Sequence, residues 1–135
     1  MANEKLLNNI LVDLLASFIS TNGVKIQTGY KLSKKIVTAK LIHIEQNEES
    51  IKCREENEIS DFLCKDNDYN RGDYVASLVA KRIKKSNHQI NSLGGVKFLE
   101  TLNNSSPEEI SSLLMPLYGV GPKLIEDFCL LSQHS

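Results

Sequence analysis

The stretch Leu117-Tyr118-Gly119-Val120-Gly121-Pro122-Lys123-Leu124-Ile125 decides how the rest of the chain is read. Two glycines flank a valine, and a proline, a lysine and an apolar run follow. Glycine permits positive φ and the close approach of a second backbone. Proline suits the first position of a helix, where its missing N–H costs nothing. The stretch therefore reads as a tight hairpin over residues 116–123 that opens into a helix. Lys123 is then placed against the local field, because a helix N-terminus carries partial positive charge. A cation there is either bound to something negative or suited to losing its proton.

Helical signals flank the hairpin on both sides. Ser106-Pro107-Glu108-Glu109 is a capping box with proline at the first helical position. It predicts a helix through Ile110, Leu113 and Leu114 to Pro116. Ile125, Phe128 and Leu131 predict a last helix after the hairpin. Further out, apolar residues from Leu6 to Ile19 recur at helical spacing and predict an amphipathic helix over 4–20, ended by Asn22-Gly23. A second helix is expected over 24–38, and a short one around Ile59, Phe62 and Leu63. Asp73 is expected to cap a helix through Val75, Leu78, Val79 and Ile83. Gly94-Gly95 breaks the chain before a helix carrying Val96, Phe98, Leu99 and Leu102. "LIHIE" (41–45) is ambiguous and reads equally as a short extended piece. The expected fold class is all-α, with residues 1–135 forming one domain.

Composition bounds the function. A chain of 135 residues with 24% charged side chains has room for one domain with a real core. It holds no apolar run of about 18 residues, so no membrane span is expected. Its N-terminus lacks the layout of a secretory signal. Cys53, Cys64 and Cys129 are odd in number and far apart, which fits reduced thiols rather than a disulfide framework or a zinc site. Neither a metal nor a cofactor is expected. The net charge of −1 argues against a general nucleic-acid binder. The charges are nevertheless in blocks. Lys25 to Lys40 and Arg71 to Lys85 bracket an acidic run from Glu45 to Asp68. The basic blocks are either solvated helix faces or two parts of a local positive face.

The hairpin has a physical use. Amides at the start of a helix make a nest for a phosphate. Gly119, Val120 and Gly121 would hold a DNA backbone without reading its bases, which fixes position but not sequence. A purely structural turn is the other reading of the same residues.

"GGVKFLETLNNSSPEEISSLLMPLYGVGPKLIEDFCLLS" (94–132) resembles the eukaryotic-type 8-oxoguanine DNA glycosylases, within the helix-hairpin-helix DNA glycosylase superfamily. The paired glycines, the leucine spacing, the "SS.EE" cap and the G-V-G-x-K hairpin follow the family's order. Upstream, "NRGDYVASLVAKRI" (70–83) is similar to its arginine- and tyrosine-bearing helix start. "DLLASFISTNGVKIQTGYKLSKKI" (13–36) is similar to its DNA-facing turn and the helix that follows. The acidic middle matches least.

The resemblance implies a base-excision-repair glycosylase and abasic-site lyase acting on damaged double-stranded DNA, monomeric, in the nucleus or the mitochondrion. It implies that Lys123 is the nucleophile that attacks the sugar C1′ and forms a Schiff base. Only a free amine attacks, and burial together with the helix dipole would favour that neutral form. Arg71 falls where the family reads the cytosine left unpaired. Asn22 stands for the family's asparagines that fill the gap in the duplex, or else simply caps a helix. Asp127 stands where the family has a cysteine in the lesion pocket.

The departures imply reduced activity. The family's catalytic aspartate follows well beyond the lysine, and Glu126 and Asp127 are too near to replace it. The resemblance also implies a helical core that lacks the family's N-terminal sheet domain and C-terminal helix, so it offers only part of a pocket for a flipped base. The alternative is a non-catalytic helix-hairpin-helix DNA-binding remnant. A lyase-type hairpin domain like that of repair polymerases fits the hairpin but not residues 94–109.

Overall fold

The run from Leu6 to Ile19 carries a single charged residue, Asp13, and it forms the axis of the fold. The computed structural model of the chain describes residues 4–132. In it Glu4–Ile19 form α1, and every residue of α1 from Ile10 onward is buried. The expected amphipathic helix is therefore apolar nearly all round over its last turns. The reason is that α1 is covered on several sides, which is where such a helix must lie. A 3-10 turn at Ser20–Asn22 continues it, and Gly23 ends that turn at φ 80°. Ile26–Thr38 form α2, starting two residues later than expected.

Helix α2 packs closely on α1. Gly29 makes that approach possible, since a Cβ there would lie 2.8 Å from the Ala16 carbonyl oxygen. A methyl at that distance must displace backbone rather than a flexible side chain.

The ambiguous "LIHIE" is extended. Strands β1 (Ile42–Glu45) and β2 (Ser50–Cys53) pair antiparallel, with Ile42 opposite Cys53 and Ile44 opposite Ile51. This small sheet is the departure from an all-α chain; the described residues otherwise hold seven α-helices. Its cause lies in the pattern. Ile42 and Ile51 are buried, while Lys52 opposite His43 is exposed, the period of a half-buried pair of strands. Two strands alone are marginal in water. Here Asn91 both accepts from the Ile51 amide and donates to the Ile51 carbonyl oxygen, each at 2.9 Å.

Asn91 belongs to α4. Glu56–Lys65 form α3, Gly72–Ser92 form α4, Val96–Asn103 form α5, Pro107–Leu114 form α6 and Pro122–Ser132 form α7. The capping box at Ser106 is present, with Ser106 accepting from the Glu109 amide and Glu109 accepting from the Ser106 amide. Asp73 is not a cap. Arg71 holds that position, and Asp73 lies in the first turn, where a carboxylate complements the helix dipole without a cap bond. The α4 chain ends through Gly94 and Gly95, both at positive φ. The core is one continuous cluster, and α1 meets α2, α4, α5 and α7.

Candidate functional site

The hairpin is held from behind by α4. The Ser86 hydroxyl donates to the Tyr118 carbonyl oxygen at 2.8 Å, and the Tyr118 amide donates to the Gln89 side-chain oxygen at 2.7 Å. Gly119 has φ 77°, and a Cβ there would meet the Arg82 side chain at 2.7 Å. Gly119 is thus required by both backbone angle and contact. Gly121 differs from expectation in one respect: its φ is not positive. No atom lies within 4 Å of where its Cβ would be. That side of the hairpin is open, and the amides of Lys123 and Leu124 fall in the first turn of α7, where helical amides lack intrahelical partners. Gly119 is therefore a packing glycine, and Gly121 leaves room for an approaching group. Val120 is half-buried and its amide is already used by the Leu117 carbonyl oxygen.

Lys123 does have a negative partner. Its Nζ lies 3.1 Å from both carboxylate oxygens of Asp127, one turn on. The order is the weaker one for an i, i+4 pair, since the lysine precedes the acid against the helix dipole. The burial expected for Lys123 is absent, because its side chain is 72% exposed. Burial belongs to its partner instead: the Asp127 side chain is 8% exposed. Asp127 also accepts from the Ser20 hydroxyl at 3.2 Å. It therefore does not present a free face to a pocket; both of its oxygens are engaged.

Ser20 lies in the same 3-10 turn as Asn22. Arg71 donates to the Gly23 carbonyl oxygen beside it. The fold thus brings Arg71, Asn22, Asp127 and Lys123 together through one short turn, although they are spread from residue 22 to residue 127. The Asn22 side-chain amide donates to the Thr21 hydroxyl. Ser20, Ser86 and Gln89 are the residues that sequence reasoning missed. A buried serine between Ile19 and Asn22 carries no local signal of a partner more than a hundred residues away.

The charge blocks separate. Lys31 and Lys35 pair with Asp68 and Asp66, and Lys84 donates to the carbonyl oxygens of Cys53 and Arg54. The acidic middle pairs with two lysines of the first basic block. Arg82 and Lys85 are different: they flank the hairpin, Arg82 against Gly119 and the Lys85 ammonium 4.5 Å over the Tyr118 ring. The positive face is therefore local to the hairpin and smaller than the two blocks together.

No protein-family model, curated protein or solved structure matches the chain. Among the described residues, no group of three or more His, Cys, Asp or Glu side chains is placed to hold a metal ion, and no helix is long and apolar enough to cross a membrane.

Proposed function

We propose that the chain grips the backbone of damaged double-stranded DNA through its hairpin and reacts with abasic sites through Lys123. This is the lyase half of a base-excision-repair activity of the 8-oxoguanine glycosylase type, with base removal weak or lost. The observation that carries it is the Lys123–Asp127 pair: an exposed amine at a helix start, held 3.1 Å from a buried carboxylate, next to an open glycine turn.

The chemistry follows from those groups. The hairpin amides and Arg82 would neutralise a phosphate. Asp127 would take a proton from the Lys123 ammonium and leave a free amine. The amine adds to the C1′ aldehyde of an abasic sugar, and loss of water leaves an imine. Asp127, returned to its carboxylate by giving its proton to the departing water, would take the C2′ proton; the electron pair then breaks the C3′–O bond, and the downstream strand leaves with its 5′ phosphate. An abasic aldehyde needs little beyond the amine. Removing an intact base also requires stabilisation of the sugar cation and the departing base, and Asp127 is already committed to Lys123 and Ser20.

Borohydride reduction tests this on the 135-residue chain with an abasic duplex. A covalent protein–DNA adduct is expected, with none for Lys123→Gln. Release of free 8-oxoguanine from a duplex containing it should stay near background. The second reading is a non-catalytic phosphate grip, favoured by the exposure of Lys123 and its ion pair with Asp127. It prevails if DNA is bound but no adduct forms.

A further inference from the structure

Asp13 is the one charged residue in the apolar run that became α1, and neither the fold nor the proposed chemistry uses it. It is 5% exposed. Among the described residues, no hydrogen bond or ion pair reaches its carboxyl group, and burial alone pushes its pKa up to about 6. Its oxygens are not among the fully enclosed side-chain atoms that lack a partner, so the carboxyl opens onto the cleft it lines.

Asp13 lies at the inner end of a cleft of about 580 Å³ where α1, α2 and α7 meet. That volume is in the usual range for small-ligand sites. Ile26 and Leu131 are its half-buried apolar walls, and Asn9, Gln27 and Tyr30 stand exposed at its mouth. We propose that this cleft binds a small planar group that presents two adjacent N–H donors, with Asp13 as the acceptor.

The alternatives fit less well. An anion would meet the Asp13 carboxylate. A divalent cation would need several oxygen or nitrogen ligands, and among the described residues Asp13 belongs to no group of three or more His, Cys, Asp or Glu side chains placed to hold one. A lone ammonium is strongly hydrated and gains little from apolar walls. A flat group with paired donors matches the two lone-pair edges of a carboxylate and lays its faces on Ile26 and Leu131. Two sources supply that edge: a guanine-type base, through its ring N–H and exocyclic amine, and an amidine or guanidine. Ser20, in the 3-10 turn that continues α1, follows Asp13 by seven residues, about two turns. The cleft therefore lies on the same α1–α7 seam as the Lys123–Asp127 pair.

The probes are guanosine and benzamidine, added to the full chain and followed by amide chemical shifts in NMR. Saturable shifts at Asn9, Gln27 and Leu131 are expected with at least one probe, and the responding probe identifies the source. Inosine lacks the exocyclic amine, and benzamide replaces one N–H edge with a carbonyl oxygen. Each should bind at least about tenfold more weakly than its parent. Asp13→Asn should weaken the parent probe by a similar factor. Failure of both probes to bind overturns the proposal, as does equal binding of parent and analogue, or binding unchanged in Asp13→Asn. If that variant does not fold, the parent–analogue comparison in the unaltered chain decides alone. No DNA enters the measurement, so its outcome is separate from that of the borohydride trap.

Discussion

Two buried aspartates of the same fold are in opposite situations, and the difference predicts opposite responses to mutation. Asp127 is paired with Lys123 and Ser20. Lys123→Gln leaves a buried carboxylate with one hydroxyl partner, which should cost on the order of 1–3 kcal/mol in a urea melt at pH 7. Asp127→Asn removes the proton acceptor and should reduce borohydride trapping about tenfold while leaving DNA affinity nearly unchanged. Asp13 has no such partner. Its folded pKa of about 6 lies above the unfolded value of 3.8, so its burial costs nothing when both states are protonated below 3.8. The cost grows as pH rises between those values and is complete above about 6. Without ligand, Asp13→Asn should therefore raise stability at pH 7, by about 1 kcal/mol once solvent in the open cleft is allowed for, and the gain should shrink towards zero below pH 4. A gain of equal size at both pH values would refute that account. Lys123 was legible in the sequence because proline and glycine marked its position on the backbone. The lone charge at residue 13 was visible too, but α1 read as amphipathic, and an amphipathic helix has a wet side on which an aspartate needs no explanation.

At the scale of the elements, the two hairpin glycines separate stability from binding. Gly119→Ala forces a Cβ into Arg82 at positive φ and should destabilise by roughly 1–3 kcal/mol. Gly121→Val meets open space, so its melt should shift by less than about 1 kcal/mol. It should nonetheless weaken binding to duplexes of every sequence, because the branched side chain fills the approach to the amides. Loss of stability without loss of binding in Gly121→Val would remove the hairpin from the interface. The helices and the capping box were legible because each is specified within a few residues. The β1–β2 pair was half legible: Ile42 and Ile44 signalled an extended piece. Its partner strand lay inside "EESIKC", where charges hide the short alternation around Ile51. What fixes that strand is Asn91, forty residues away, and periodicity carries no information about such a contact.

Across the whole molecule, the acidic middle absorbs lysines that a charge count would assign to DNA. If the hairpin and its flanking Arg82, Lys85 and Lys123 make the contacts, few phosphates are neutralised. The slope of log affinity against log salt should then be shallow, about −2 to −4, by the relation between slope and phosphates contacted. A slope near −8 would require the first basic block as well. Helix α4 has a further consequence. Arg71 at its start ties down the turn at Gly23, and Arg82 on its flank carries the hairpin. They lie eleven positions apart along the helix, about 16 Å at 1.5 Å per residue. The helix is a ruler with two fixed marks. Laid along a duplex that rises about 3.4 Å per base pair, the marks span roughly five base pairs. A nuclease or hydroxyl-radical footprint should therefore have two separate edges at that spacing, set by the length of a helix that need not touch the DNA between them.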